Sequence, residues 1–227
     1  MNLHMKAEAL LDEDFDFYQS RIRILLILYF FSVPYQSKKY VNRKTLFETE
    51  VRIQKIDFLI RNPDYLAYEM LSLVKEGGID DKKEVKHIVD NIFLDKEPLI
   101  RKNEMERFFF GAYEDLDDVI AFLKAFDFIE YESGKNVAGQ IFGKKYYVTS
   151  NGAERIEKGV KEISSISWYE KRCKLIKKYF GELSGSELKV RQYQIEKYRD
   201  TPLNQYIESV IDETKKMYID LYGEELA

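Results

Sequence analysis

The chain has 227 residues, 45% hydrophobic and 33% charged, enough for one large domain or two small ones with a buried core. A net charge of -4 and a pI near 5.5 exclude a protein whose whole surface grips nucleic acid, since that binding is driven by neutralising phosphates; a local basic patch stays open. One cysteine and two histidines, His4 and His87, exclude an internal disulfide and a zinc site of clustered Cys and His.

The opening stretch MNLHMKAEALLDEDFD is acidic and lacks the basic-then-apolar order of an export signal. The most apolar run, Ile24 to Phe31, is far shorter than the ~20 residues of a membrane span. Together these predict a cytoplasmic protein with no membrane partner. A carboxylate-only magnesium site is conceivable, but no cofactor is predicted. Aromatic residues make up 15%, with 17 Tyr and 15 Phe. Core filling is their plain use; an excess of Tyr over what a core can hydrogen-bond points to an interaction surface.

Ser20 or Gln19 opens an apolar helix, RIRILLILYFFS, stopped by Pro34. A polar loop, YQSKKYVNRK, follows. Thr45 and Glu48 have capping-box spacing, which predicts a helix from there to about Arg61. Asn62-Pro63 ends it, because the residue before proline is pushed out of helical space, and Asp64 caps the next helix, YLAYEMLSLVKE. Gly77-Gly78 stops that one. Val85, Ile88, Val89 and Ile92 form one stripe of a helix from about Lys82 to Phe93. Pro98-Leu99-Ile100 reads as a short strand or turn.

Asp115 begins a helix with Leu116, Val119, Ile120, Leu123 and Phe126 at helical spacing, and three aspartates in its first turn suit the helix dipole. Phe128 to Glu132 alternates as a strand. Gly143 leads into a second, Lys144 to Thr149. Asn151-Gly-Ala-Glu154 caps a helix lined by Ala153, Ile156, Val160 and Ile163. Helices over about 166–180, 186–198 and 205–222 complete the chain. The last carries Ile207, Ile211, Thr214, Tyr218 and Leu221 along one face.

The predicted class is mainly α with a small antiparallel β-hairpin. Helix, strand, glycine loop, strand, helix is the second half of a winged helix-turn-helix, with 115–126 as recognition helix and 133–143 as wing. A two-stranded hairpin is marginal alone, so helices at 82–94, 116–126 and 152–162 are expected to hold it. This divides the chain into an N-terminal helical region 1–98, a winged-helix-like module 99–163 and a C-terminal helical region 164–227.

Charge separates the ways such a module could work. From Glu104 to Glu132 there are nine acidic and two basic residues. Asp115, Asp117 and Asp118 sit at the helix end that usually meets bases, where they would repel phosphates. From Gly134 to Lys178 the balance reverses, with eleven basic and four acidic residues. Lys135, Lys144, Lys145, Arg155, Lys158 and Lys161 are candidates for touching a DNA backbone without reading sequence; the plainer reading is a solvated helix face or a complement to an acidic partner.

No phosphate loop, dinucleotide fingerprint or G-x-S-x-G elbow is present. Cys173 shares an apolar stripe with Tyr169, Ile176 and Phe180, which marks a core thiol. Pro63-Asp64 and Glu84-Val-Lys86 match the nuclease pattern Pro-Asp, Glu-x-Lys, but EVKHIVDNIF has helical rather than alternating spacing, which does not set metal carboxylates side by side. No catalytic residue is predicted. In FFFGAYED, Phe108, Phe109 and Phe110 are either a buried strand with Gly111 allowing close packing, or, with Tyr113, an aromatic edge presented to a partner.

FFFGAYEDLDDVIAFLKAFDFI, KKYYVTSNGAERIE and WYEKRCKLIKKYFGELSGSELKVRQY, taken in that order, resemble the middle components of bacterial ABC-three-component systems, which include the small accessory subunit of Lamassu-type anti-phage defence. The matching features are an aromatic-x-x-Gly turn at Phe108 to Gly111, a Y-x-V-T-x-x-G wing exit at Tyr146 to Gly152, and a Trp-led helix ending in Phe-Gly at Trp168 to Gly181. The resemblance covers about residues 99–195. It implies a non-catalytic subunit that joins an SMC-like ABC ATPase to an effector nuclease in a DNA-sensing complex. The interface candidates are then Phe108, Phe109, Phe110, Tyr113, Trp168 and Tyr169, with Ile207, Ile211, Tyr218 and Leu221 on the last helix. The alternative is a winged-helix transcriptional regulator, dimerised by that helix.

Overall fold

The computed structural model describes residues 18–79, 81–135 and 141–226. In chain order its first half holds α1 (18–30), β1 (Val33–Pro34), β2 (Arg43–Glu48), α2 (Glu50–Arg61), α3 (Pro63–Lys75), α4 (Lys82–Leu94), α5 (Glu97–Ile100), β3 (Glu106–Phe108) and β4 (Gly111–Tyr113). Its second half holds α6 (Asp117–Ala125), β5 (Ile129–Lys135), β6 (Ile141–Thr149), α7 (Ser150–Glu162), α8 (Ser164–Phe180), α9 (Gly185–Gln194), α10 (Glu196–Asp200) and α11 (Ile211–Tyr222). Helix dominates, with one four-stranded antiparallel sheet and a separate two-stranded hairpin, the class that the periodicities predict. No helix among the described residues is long and apolar enough to cross a membrane.

The chain forms two compact units, each from two stretches of sequence. Unit 1 runs up to Ile53 and resumes over Asp115–Gly181; unit 2 is Gln54–Glu114 and the chain from Glu182 onward. These boundaries differ from the expected breaks after residues 98 and 163. The reason is a long-range pairing. β2 lies between β1 and β6 in a sheet of order β1-β2-β6-β5, so residues 43–48 belong with the hairpin a hundred positions later.

The same pairing corrects the expected helix start at Thr45. Thr45, Leu46, Phe47 and Glu48 face Val148, Tyr147, Tyr146 and Lys145 across the ladder, and Phe47 is buried. A capping box satisfies two amides, whereas a strand between two neighbours satisfies its backbone on both edges and buries alternate side chains. The helix waits until Glu50, after Thr49 turns the chain with φ 69°.

In unit 1 the order α1, β2, first turn of α2, α6, β5, β6, with β6 beside β2, is winged-helix-like. Unit 2 enters the chain between the first turn of α2 and α6. Asp115 Oδ1 accepts from the Asp117 amide at 2.9 Å and so starts α6. Thr149, not Asn151, caps α7, accepting from the Gly152 amide at 3.0 Å. A Cβ on Gly152 would stand 2.2 Å from the Phe128 carbonyl, so glycine is required where α7 crosses the start of β5. Cys173 is fully buried with Ile176 and Phe180, as its stripe predicts. Part of the expected wing, residues 136–140, lies outside the described residues.

In unit 2, α3 packs against α4 and α11. Asp64 is not a helix cap: Asn62 holds that position, and the buried Asp64 carboxylate instead accepts from Ser209 Oγ at 2.7 Å and the Val210 amide at 2.9 Å. It thereby fixes the start of α11 against α3. Phe58 meets the rings of Tyr65 and Tyr198 edge-on, with centroids 4.8 and 5.1 Å away. Residues 97–100 form the short helix α5, where a strand or turn was expected; Pro98 occupies its first turn, where a missing amide costs nothing. The helix at 82–94, expected beneath the wing, lies in unit 2 as α4.

Candidate macromolecular interfaces

In unit 1, α6 and the β5–β6 hairpin enclose a cleft of about 630 Å³, lined by Asp117, Ile120, Lys124, Tyr131, Lys144 and Tyr146 among others. Burial, and then Glu50, raise the pKa of the Tyr146 hydroxyl, which donates to Glu50 Oε2 at 3.1 Å. Glu50 also takes the Lys144 ammonium, which lies 3.9 Å from Asp117 Oδ1. Lys145 pairs with Glu48 at 3.2 Å. Both lysines at the wing's root therefore face carboxylates of their own unit. Such half-exposed pairs are worth only about 0–1 kcal/mol, so a phosphate can compete for the lysines, but Glu50, Glu48 and the aspartates of α6 remain beside it and repel it.

Arg155 and Lys158 are exposed on α7 and make no ion pair among the described residues. The side chains of Lys135 and Lys161 lie outside the described residues. Lys171 and Lys177 are exposed on α8, while Arg172 is buried with its guanidinium 5.2 Å from the Trp168 ring. Trp168 and Tyr169 are half-buried, their rings edge to face at 4.9 Å, and the Tyr169 hydroxyl accepts from Gln19 at 2.9 Å.

A closely held cation of unit 1 sits in what reads as a polar loop. Arg43 is buried on the sheet, with Tyr40 and Tyr147 rings 3.9 and 4.1 Å from its guanidinium carbon. It donates to Glu130 at 2.7 Å and Glu132 at 2.6 Å. Burial works against its charge, but the bonds to Glu132 and Glu130 outweigh burial and raise its pKa. The signal available in the sequence is the Glu-x-Glu alternation at 130 and 132, which sets two carboxylates on one face of a strand that needs a cation across the sheet.

In unit 2 the register Glu106↔Tyr113, Arg107↔Ala112, Phe108↔Gly111 leaves Phe109-Phe110 as a two-residue turn. Phe109 is 67% exposed, Phe110 64%, Phe108 38% and Tyr113 37%. The stretch is thus an aromatic edge and not a buried strand, and the close packing falls on Gly111 alone. Gly111 has φ 93°, and a Cβ there would come 2.3 Å from the Tyr198 hydroxyl and 2.8 Å from Lys55 Nζ. Phe108 packs on Phe109 and Tyr113 at 4.8 and 5.4 Å between centroids.

Under this turn lies a residue that the sequence reading missed. Lys55 is 1% exposed and donates to the Ala112 carbonyl at 3.1 Å and the Tyr198 hydroxyl at 3.3 Å. The Tyr198 hydroxyl in turn accepts from the Ala112 amide at 2.7 Å. Burial, and then the nearby Lys189, push the Lys55 ammonium down to about 7. Its only sequence signal is a lysine inside IQKIDFLI, where α2 is buried on every side.

The remaining candidates separate by burial. Ile207 and Tyr218 are 2% and 1% exposed, so both belong to the core and are removed as partner contacts. The Ile207 amide donates to the Met105 carbonyl at 3.0 Å, and the Tyr218 hydroxyl bonds Asp90. Ile211 and Leu221 are half-buried on α11. The nuclease-like pattern is distributed as its helical spacing predicts: Asp64 is engaged by Ser209 and Val210, Glu84 lies in the first turn of α4, and Lys86 pairs with Asp90 and Glu224 at 3.2 Å each. Among the described residues no group of three or more His, Cys, Asp or Glu side chains is placed to hold a metal ion. No family model, curated protein or solved structure matches the chain.

Proposed function

We propose that this chain is a non-catalytic accessory subunit that works by being held against other macromolecules. The resemblance of residues 99–195 supplies the partners: an SMC-like ABC ATPase and an effector nuclease in a cytoplasmic, DNA-sensing anti-phage complex. The observation that carries the reading is the turn at 108–111, where three consecutive phenylalanines precede a glycine packed close on Tyr198 and Lys55, which bond the next residue, Ala112. A contiguous exposed aromatic patch on a soluble surface favours a protein interface, and aromatic anchors supply most of the energy in such interfaces. Unit 1 supports the same reading, because its would-be recognition helix opens on aspartates and its wing-root lysines already face carboxylates. Contact with DNA in the assembly would then be to the backbone, through Arg155, Lys158 and the displaceable Lys144 and Lys145.

The winged-helix-like order of unit 1 favours one second reading, a homodimeric transcriptional regulator. Co-expression with the flanking genes, purification on this chain and light-scattering mass measurement separate the two. A large ATPase arriving in fixed stoichiometry supports the assembly subunit. A lone homodimer that retards one duplex sequence in the presence of competitor DNA ends that proposal and supports the regulator.

A further inference from the structure

The turn at 108–111 carries a charge pattern as well as an apolar one. Lys189, on α9, lies with its ammonium 5.0 Å from the Phe110 ring centroid and 5.5 Å from that of Tyr193, and makes no ion pair among the described residues. Among the described residues Lys55, directly beneath Gly111, is bonded to a carbonyl and a hydroxyl and to no carboxylate. Arg107, one residue before Phe108, gives one guanidinium nitrogen to the Thr201 carbonyl and leaves its buried Nε without a hydrogen-bond partner. Unit 2 as a whole has 23 acidic against 16 basic residues, so this cationic, aromatic tip stands against the sign of its own unit.

We infer that the turn docks an acidic segment of a partner protein, whose apolar side chains cover Phe109 and Phe110 while a flanking carboxylate pairs with Lys189. The inference rests on the assembly reading only in taking the occupant to be a protein. Aromatic rings beside a lysine also suit single-stranded nucleic acid, but that binding wants a run of cations tracking the backbone, and a single ammonium, that of Lys189, lies over the Phe110 ring. A second copy docking turn to turn would set Lys189 near its own symmetry mate, like charge against like. A carboxylate is the group that answers the Lys189 ammonium over the Phe110 ring.

The test uses the complex purified with its native neighbours, with Phe109 replaced by the photo-cross-linker p-benzoylphenylalanine. The expected product joins position 109 to a segment of another protein in which Asp or Glu flanks apolar residues. Phe109→Ser with Phe110→Ser should weaken the complex at least about thirtyfold, with unchanged circular dichroism because both rings are exposed. Lys189→Glu should weaken it about tenfold, and changing the mapped carboxylate to Lys should restore it. A cross-link to nucleic acid, to a second copy or to a basic segment overturns the inference. So does a Phe109→Ser, Phe110→Ser chain that still binds its partner at full strength, an outcome that leaves the assembly reading standing. A wild-type chain that brings no protein with it overturns both.

Discussion

Two buried cations, Arg43 in unit 1 and Lys55 in unit 2, are held in opposite ways. In unit 1 Arg43 lies between two tyrosine rings and two carboxylates, and its charge is held. In unit 2 Lys55 is buried with only a carbonyl and a hydroxyl, and its charge is disfavoured. The surfaces follow the same division: the wing-root lysines of unit 1 face Glu50 and Glu48, while Lys189 at the aromatic turn of unit 2 faces rings. A wing root whose lysines are answered from within has little left to offer a polyanion. A turn whose lysine, Lys189, meets only rings among the described residues is set to meet a carboxylate from outside.

The largest effect should come from breaking the turn at its root. Gly111→Ala adds left-handed strain of about 1–2 kcal/mol to overpacking of about 1–3 kcal/mol against Tyr198 and Lys55. Urea melts should show a loss of roughly 3 kcal/mol or more, and hydrogen exchange should speed up over 106–113 and α9–α10 while the ladder of β2, β6 and β5 stays protected. Loss of protection in that ladder as well would count against two separately built units.

Next in size is the pH dependence of Lys55. Its folded pKa of about 7 lies below the ordinary 10.5, so as pH falls the unfolded chain takes the proton first. Stability should therefore rise with pH between those values, by about 1.4 kcal/mol per unit, and level off below 7. Between pH 7 and 9.5 the wild type should gain roughly 3 kcal/mol. The buried hydroxyls of Tyr65, Tyr146 and Tyr198, all raised above the usual tyrosine value, withdraw stability only above about pH 10. Lys55→Met should flatten the rise, and an undiminished slope in that variant would show that Lys55 is not its source.

Arg43→Met makes the contrasting test in unit 1. It strands Glu130 and Glu132, which are partly exposed, so a loss of about 2 kcal/mol is expected. No slope should appear near neutrality, because a paired guanidinium does not titrate there. The smallest effect belongs to the wing root. Lys144→Gln with Lys145→Gln should change stability by under about 1 kcal/mol and lower the salt dependence of DNA association by the assembled complex by about two phosphates at most. Unchanged low-salt binding would assign these lysines to a protein.

The sequence showed what depends on neighbours. The stripe of Val85, Val89 and Ile92 placed α4, the alternation of Phe128 to Glu132 with Gly143 before the second strand placed the hairpin, and FFFG marked the turn. What it concealed depends on distance along the chain. Thr45 and Glu48 carry a genuine local cap signal, and only the far strand β6 turns them into β2. Tyr218 and Ile207 fall on an amphipathic stripe that looks the same whether it meets a partner or its own core, and here it meets α4 and the segment before β3. Lys55 was hidden for a similar reason: a lysine in an apolar helix reads as a solvated face until Ala112 and Tyr198 close over it.

Hydrogen exchange on the assembled complex, measured with and without a DNA duplex, tests most directly whether the chain works through its unit 2 turn or through a groove-reading helix. Strong partner-dependent protection over 106–113, with α6 indifferent to duplex, is the predicted result. Protection of α6 and the hairpin by duplex, with the turn still exchanging freely, would contradict it.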